Sequence, residues 1–413
     1  MATHVGTASR ISNPSGSPRL PQVLLIVGFV LIPLIVSVQL AWTQSSSDSN
    51  KSNHTVGLGK VLSSAHRGQI FGFDIDQNGT DGIIDDAVTL SNGGLKSSIE
   101  TFDINSGKIT KVVTTLVSNN GDVELVTYGI GGKDIGFVDE QRLSTKNGRK
   151  ERNDRFFLLN TVSGEKITGQ WTLPRSKNSV LGVLAENQAT NTQVVSVYRD
   201  VFGSDVPWLI VTDLATNRIL NSIRLKSVFT LAQDYVKAEA VTAISSYPGG
   251  PPPINVVINL KTDKIREFNG FNNGPAGAGE VNGLAVDSST GILCTTTEEN
   301  AQVEFYKLSD GSGTWTQLPN TESAGSEINS AESVTNDPLN HLFIITQPYS
   351  STGGSSAIYV YDEKANLKET INGFNFPNSN LPPFFNVKVV INPSLRMGWV
   401  NGPSVTQLQQ FFY

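Results

Sequence analysis

Cysteine is almost absent from this chain of 413 residues, with Cys294 the single example. That excludes an intramolecular disulfide and any Cys-x-x-Cys metal or redox motif. Within Ile292-Leu293-Cys294 the thiol reads as a small buried hydrophobe. Histidine is also scarce, limited to His4, His54, His66 and His341, so a Ser-His-Asp site would depend on His66 or His341. Charged side chains are only 16% of the chain, the formal net charge is −6, and no basic patch occurs. A nucleic-acid partner is therefore not expected. Long amphipathic helical stretches are missing, as are an HExxH motif and a glycine-rich loop opening a helix, which removes the common zinc-hydrolase and phosphate-binding signatures.

What is present is β-structure and turns. With 38 Gly and 19 Pro, short runs of Val, Ile, Phe and Thr alternate with Gly, Asn, Asp and Ser clusters from Gly57 onward. The N-terminus differs. Arg10 and Arg19 precede Val23 to Val36, which carries no polar side chain, and looser apolar character continues to Trp42. Residues 1–43 therefore read as a hydrophobic helix, either a cleaved signal peptide or a retained membrane anchor. Both readings place the remainder outside the cytoplasm, secreted or anchored, with membrane contact only through this segment. Residues 44–54 are a Ser/Asn-rich linker that cannot bury a core, and 55–413 form the folded domain, expected as a monomer. Sequons stand at Asn50, Asn53 and Asn78.

Two repeats organise the domain. One is small/apolar-Glu-x-Val-Thr, at Val123-Glu124-Leu125-Val126-Thr127, Ala238-Glu239-Ala240-Val241-Thr242 and Ala331-Glu332-Ser333-Val334-Thr335. Val281-Asn282-Gly283-Leu284-Ala285 fits the same slot. Each opens an alternating run with the period of a half-buried strand. The other is a strand, an Asp or Asn, a short turn and a second strand, as in Phe102-Asp103-Ile104-Asn105-Ser106-Gly107-Lys108-Ile109. Its anchors fall at Asp103, Asn160, Asp213, Asn259, Leu308 and Asp362. They are about 50 residues apart, room for four strands each, as in the blades of a β-propeller. A further unit begins at Phe384 and stops at Tyr413, too early for a fourth strand, and Thr55–Ser63 would supply it. The expected fold is therefore all-β, a seven-bladed propeller closed by strands from both ends of the domain, which removes free sheet edges.

Two groups of residues carry candidate chemistry. Asp74, Asp76, Asn78, Gly79, Thr80 and Asp85 follow a calcium-loop spacing, with oxygen donors at alternate positions and Gly at the sharp turn. The stretch resembles the calcium loops of integrin α-subunit propellers, which implies Ca2+ bound by Asp74, Asp76, Asn78, Thr80 and Asp85. It departs from them at Gly82, where those loops carry Asp. Gln69, Glu124, Glu239, Asn282 and Glu332 share one slot at the start of inner strands and would ring the channel mouth. Converging carboxylates there would raise their pKa values or recruit a cation, or would simply be solvated. The set is similar to the axial metal site of gluconolactonase-like propellers, and Asn282-Gly283-Leu284 resembles a stretch those enzymes carry. Two functions follow: a non-catalytic module binding a protein or carbohydrate at one face, with aromatics such as Tyr247 and Tyr349 in its loops, or a metal-dependent lactonase or esterase acting at the axis.

Overall fold

The computed structural model describes residues 56–413, with breaks in the connections between strands, the longest at 167–179, 199–207, 272–280, 320–330 and 375–386. These belong to the second of two compact units, Ser52–Tyr413. The predicted N-terminal helix and the 44–54 linker lie outside the described residues, among which no helix is long and apolar enough to cross a membrane.

The domain is a succession of antiparallel sheets. After β1 (Gly57–Ser63), the first sheet is β2 (Gln69–Ile75), β3 (Asp81–Thr89), β4 (Leu95–Asp103) and β5 (Lys108–Ser118). Next comes a three-stranded sheet, β6 (Val123–Tyr128), β7 (Ile135–Lys146) and β8 (Arg149–Asn160). Four-stranded sheets follow: β9 (Val180–Asn187) to β10 (Thr192–Tyr198), β11 (Trp208–Asp213) and β12 (Arg218–Arg224); then β13 (Leu231–Asp234), β14 (Glu239–Ile244), β15 (Ile254–Asn259) and β16 (Ile265–Asn269). The pattern repeats in β17 (Val281–Asp287), β18 (Ile292–Thr297), β19 (Gln302–Lys307) and β20 (Gly313–Gln317), and in β21 (Val334–Asp337), β22 (Leu342–Gln347), β23 (Ser356–Asp362) and β24 (Leu367–Phe374). The last sheet is β25 (Val389–Asn392), β26 (Met397–Asn401) and β27 (Gln407–Phe412), completed by β1. Among the described residues six sheets have the four strands expected of seven, and the β6–β8 sheet has three.

Inner strands lie side by side: β6 touches β2, β2 touches β25, and β25 continues through β21, β17 and β13 to β9. The strand period explains how the sheets stack. Along β23, Ala357, Tyr359 and Tyr361 pack toward Phe305 and Cys294 of one neighbouring sheet, while Ile358 and Val360 pack toward Val389, Val400 and Phe411 of the other. A strand buried on both faces cannot show a clean polar alternation, and it reads as a continuous apolar run. Outermost strands such as β16 and β20 are largely exposed. Cys294 is fully buried in this core, and burial pushes its thiol well above the ordinary range, as expected of a structural cysteine.

Closure is the antiparallel pairing of β1 with β27, in the register Leu62↔Leu408 and Ser63↔Gln407. The closing sheet is tied to the first: Trp399 Nε1 and Gln410 Nε2 both donate to the Ile104 carbonyl, at 3.2 and 2.7 Å, and Trp399 meets Phe102 edge-on at 5.4 Å. Burial of one such aromatic stabilises by roughly 1.5–3 kcal/mol.

Both turn classes use one device. After the third strand, Asp103, Asn160, Asn259 and Asp362 accept backbone N–H bonds from the turn, and a residue four or three positions on takes positive φ: Gly107, Gly164, Asp263 and Ala365. After the inner strand the same happens at Asp234, Asp287, Asp337 and Asn392, with positive φ at Ala238, Gly291, His341 and Arg396. The side-chain oxygen substitutes for a backbone acceptor that the tight turn cannot supply.

Candidate functional site

In each antiparallel sheet, the connections from first to second and from third to fourth strand leave at one end. Those from second to third strand and onward to the next sheet leave at the other. The first end carries the short, self-bonded turns. The second carries the long connections: 199–207, 245–253, 270–280, 318–333, 348–355 and 375–388. The two faces of the domain are therefore unlike.

The predicted calcium stretch lies on the turn face, across a hairpin. Asp74 is on β2 opposite Ile83, Asp76 donates its N–H to the Asp81 carbonyl at 2.9 Å, and Thr80 is exposed in the turn. Asp85 is within β3 opposite Gly72 and is fully buried, and Asn78 falls outside the described residues. The spacing thus spans the hairpin and part of a strand rather than one closed loop.

The predicted axial set is divided. Gln69 opens β2, Asn282 is the bulged residue near the start of β17, and Glu124 is second in β6, all inner strands. Glu239 is not on an inner strand. It opens β14, the second strand of its sheet, paired with Asp234 at the end of β13. The equivalent inner slot, five residues before Asp234, is Phe229, which with Glu332 lies outside the described residues. Second strands here are as apolar as inner ones, which is why the Glu-x-Val-Thr pattern did not separate them. Tyr247 and Tyr349 also fall outside the described residues, within connections of the long-connection face.

Two clusters of potential ligand side chains do converge among the described residues: His66, Asp86 and Glu100, and Asp287, His341 and Glu363. In the second, His341 Nδ1 lies 2.8 Å from Asp287 Oδ2 and 3.2 Å from Ser289 Oγ, and Ser289 Oγ donates to Asp287 Oδ1 at 2.6 Å. A serine, a histidine and an aspartate meet, but serine and aspartate share one ring nitrogen. A catalytic relay needs them on opposite nitrogens, so this arrangement is a turn clasp joining two sheets.

A further buried group was not legible from spacing. Glu304 on β19 is fully buried and accepts from Gln302 Nε2 at 2.7 Å, from Thr295 Oγ1 at 3.2 Å and from the Tyr306 hydroxyl. Burial pushes its carboxyl up to about 7, against the lowering effect of those donors, and burial together with Glu304 raises the Tyr306 phenol. The Phe271 N–H in turn donates to the Tyr306 oxygen at 3.0 Å.

No known protein-family pattern matches the chain, and no characterised protein resembles it closely in sequence. Solved structures do resemble it in shape. The WD40 repeats of RRP9 superpose with a TM-score of 0.56 at 11% identity, over 87% of this chain and 99% of that one. The β-propeller domain of Cps50 (Swd1) from Myceliophteria thermophila gives 0.51 at 9% identity, over 87% and 100%. Raptor from Chaetomium thermophilum gives 0.57 at 10% identity, over 87% of this chain but 29% of that much longer one. The chain folds as a β-propeller. At these identities the likeness concerns the fold, and each propeller blade corresponds to one of the sheets described above.

Proposed function

We propose that this propeller is a non-catalytic module that binds a protein partner through the face built by its long connections. The contrast between the two faces carries this reading. On one face the turns are short, and one oxygen of each turn carboxylate accepts from its own backbone, as with Asp287, Asp337 and Asp362. On the other, the connections are long enough to vary in sequence, and such loops are the usual place for recognition on a rigid scaffold. We count the β6–β8 sheet as a seventh blade, because β6 abuts β2 as the other inner strands abut one another. Residues 1–43 would deliver the module outside the cytoplasm, which cell fractionation tests directly. The lactonase or esterase reading needs an axial ligand ring, and Glu239 lies on a second strand, away from that slot.

Photo-cross-linking in the native host tests the reading. A photoreactive residue at Tyr247 or Tyr349 on the long-connection face should trap a second polypeptide, whereas one at Ser309 on the turn face should not. Equal trapping from Ser309, or none from either tyrosine position, would reject the assignment.

A further inference from the structure

The β1–β2 connection, residues 64–68, lies over the first blade on the long-connection face. Beneath it, Asp86 on β3 and Glu100 on β4 share one side of the sheet, because Ile84 pairs with Glu100 and Asp86 with Ser98. That side also carries Ile84 and Phe102, which pack against Met397 and Trp399 of the closing blade. Both carboxylates are fully buried, and His66 from the connection is the cation-forming group that meets them. Two adjacent buried carboxylates without a full counter-charge are costly.

The geometry of the donors is specific. His66 Nδ1 is 3.0 Å from Glu100 Oε1 and 3.3 Å from Asp86 Oδ2. Ligand atoms at the corners of a tetrahedron about Zn2+, with bonds of about 2.0–2.1 Å, lie about 3.3–3.4 Å apart. The carboxylates are also held in place: the Ala65 N–H donates to Glu100 Oε2 at 3.0 Å and the His66 N–H to Asp86 Oδ2 at 2.8 Å. Independently, Asp86 Oδ1 is buried with no hydrogen-bond partner and lies against the same connection, 2.3 Å from where a Cβ on Gly68 would stand.

We propose that His66, Asp86 and Glu100 bind a divalent transition-metal ion, Zn2+ foremost, that clasps the β1–β2 connection onto the first blade. One imidazole and two carboxylates are a borderline-to-hard donor set that suits Zn2+ and leaves a fourth position for water, whereas Ca2+ would want six or more oxygens. The clasp would neutralise the carboxylates and fasten the connection that follows the closing strand.

The test uses the full chain in mild detergent, titrated with ZnCl2 against a chromophoric chelator, with CoCl2 as a spectroscopic stand-in. One equivalent should bind, Co2+ should show the visible absorption of a four-coordinate site, and Zn2+ should raise the melting temperature. His66→Ala, at a partly exposed loop position, should keep the fold and weaken binding by about tenfold or more. Glu100→Gln should do likewise. The paired change Asp74→Ala, Asp76→Ala in the distant hairpin should leave Zn2+ binding intact. Absence of saturable binding, unchanged affinity in His66→Ala, or a site that prefers Ca2+ would each overturn the proposal.

Discussion

The Tyr413 hydroxyl of the closing blade donates to Asp337 Oδ2 of the preceding blade at 3.0 Å, and both groups are fully buried. The same aspartate accepts the N–H groups of Leu339 and Asn340 through Oδ1, so one side chain ties a turn and joins two blades. Burial and the Asp337 charge both raise the Tyr413 phenol, which stays a donor. Tyr413→Phe should cost about 1–3 kcal/mol, since it leaves a buried carboxylate oxygen short of a donor. Urea unfolding checks this, and an unchanged midpoint would mean the bond contributes nothing.

Glu304 should make stability depend on pH. Its native carboxyl titrates near 7, against an ordinary value of 4.5. The native state therefore keeps a proton that the unfolded chain releases above 4.5. The associated stability is fully present below that value and is lost as pH rises through about 7, by on the order of 3 kcal/mol. Glu304→Gln, which mimics the protonated form, should remove this component from a melting series run between pH 4.5 and 8. A variant whose pH profile matches the parent would show that Glu304 is ionised in the native state.

Two glycines mark close packing at equivalent places. A Cβ on Gly82 would lie 2.3 Å from Phe102 Cζ, and one on Gly398 would lie 2.3 Å from Phe411 Cζ. Each glycine is second in the second strand of its blade, directly opposite that phenylalanine. Both rings are fully buried, so they cannot swing aside cheaply. Gly82→Ala and Gly398→Ala should each destabilise by about 1–3 kcal/mol or more through overpacking, measured by chemical denaturation. Gly291→Ala is the contrast, because only the flexible end of Lys237 is near and the cost there is backbone strain at positive φ.

The turns were the most legible part of the sequence. Asp103, Asn160, Asn259 and Asp362 signal their hairpins because an Asx turn needs that side chain at that position, whatever surrounds it. Closure was legible through arithmetic, since the unit from Phe384 lacks a strand and Gly57–Ser63 has the length to supply it. The axial slot was not. Inner and second strands are both buried on two faces, so Glu239 before an apolar run carries no mark of which strand it begins. The His66–Asp86–Glu100 group was equally hidden. Its members are brought together by a connection crossing two strands, and nothing in the spacing of Asp86 on β3 and Glu100 on β4 marks which of the polar residues in those strands are buried together.

The closed ring stands or falls on the pairing of β1 with β27, where Ser63 faces Gln407 and Gln407 Nε2 donates to Ser63 Oγ at 3.2 Å. In a Cys294→Ser background, Ser63→Cys and Gln407→Cys put two thiols on directly opposed strand positions, within disulfide reach. Mild oxidation should form an intramolecular bond, seen as a faster band on non-reducing gels and as a higher melting temperature. Only intermolecular disulfides, or two thiols that stay free under oxidation, would contradict the closure.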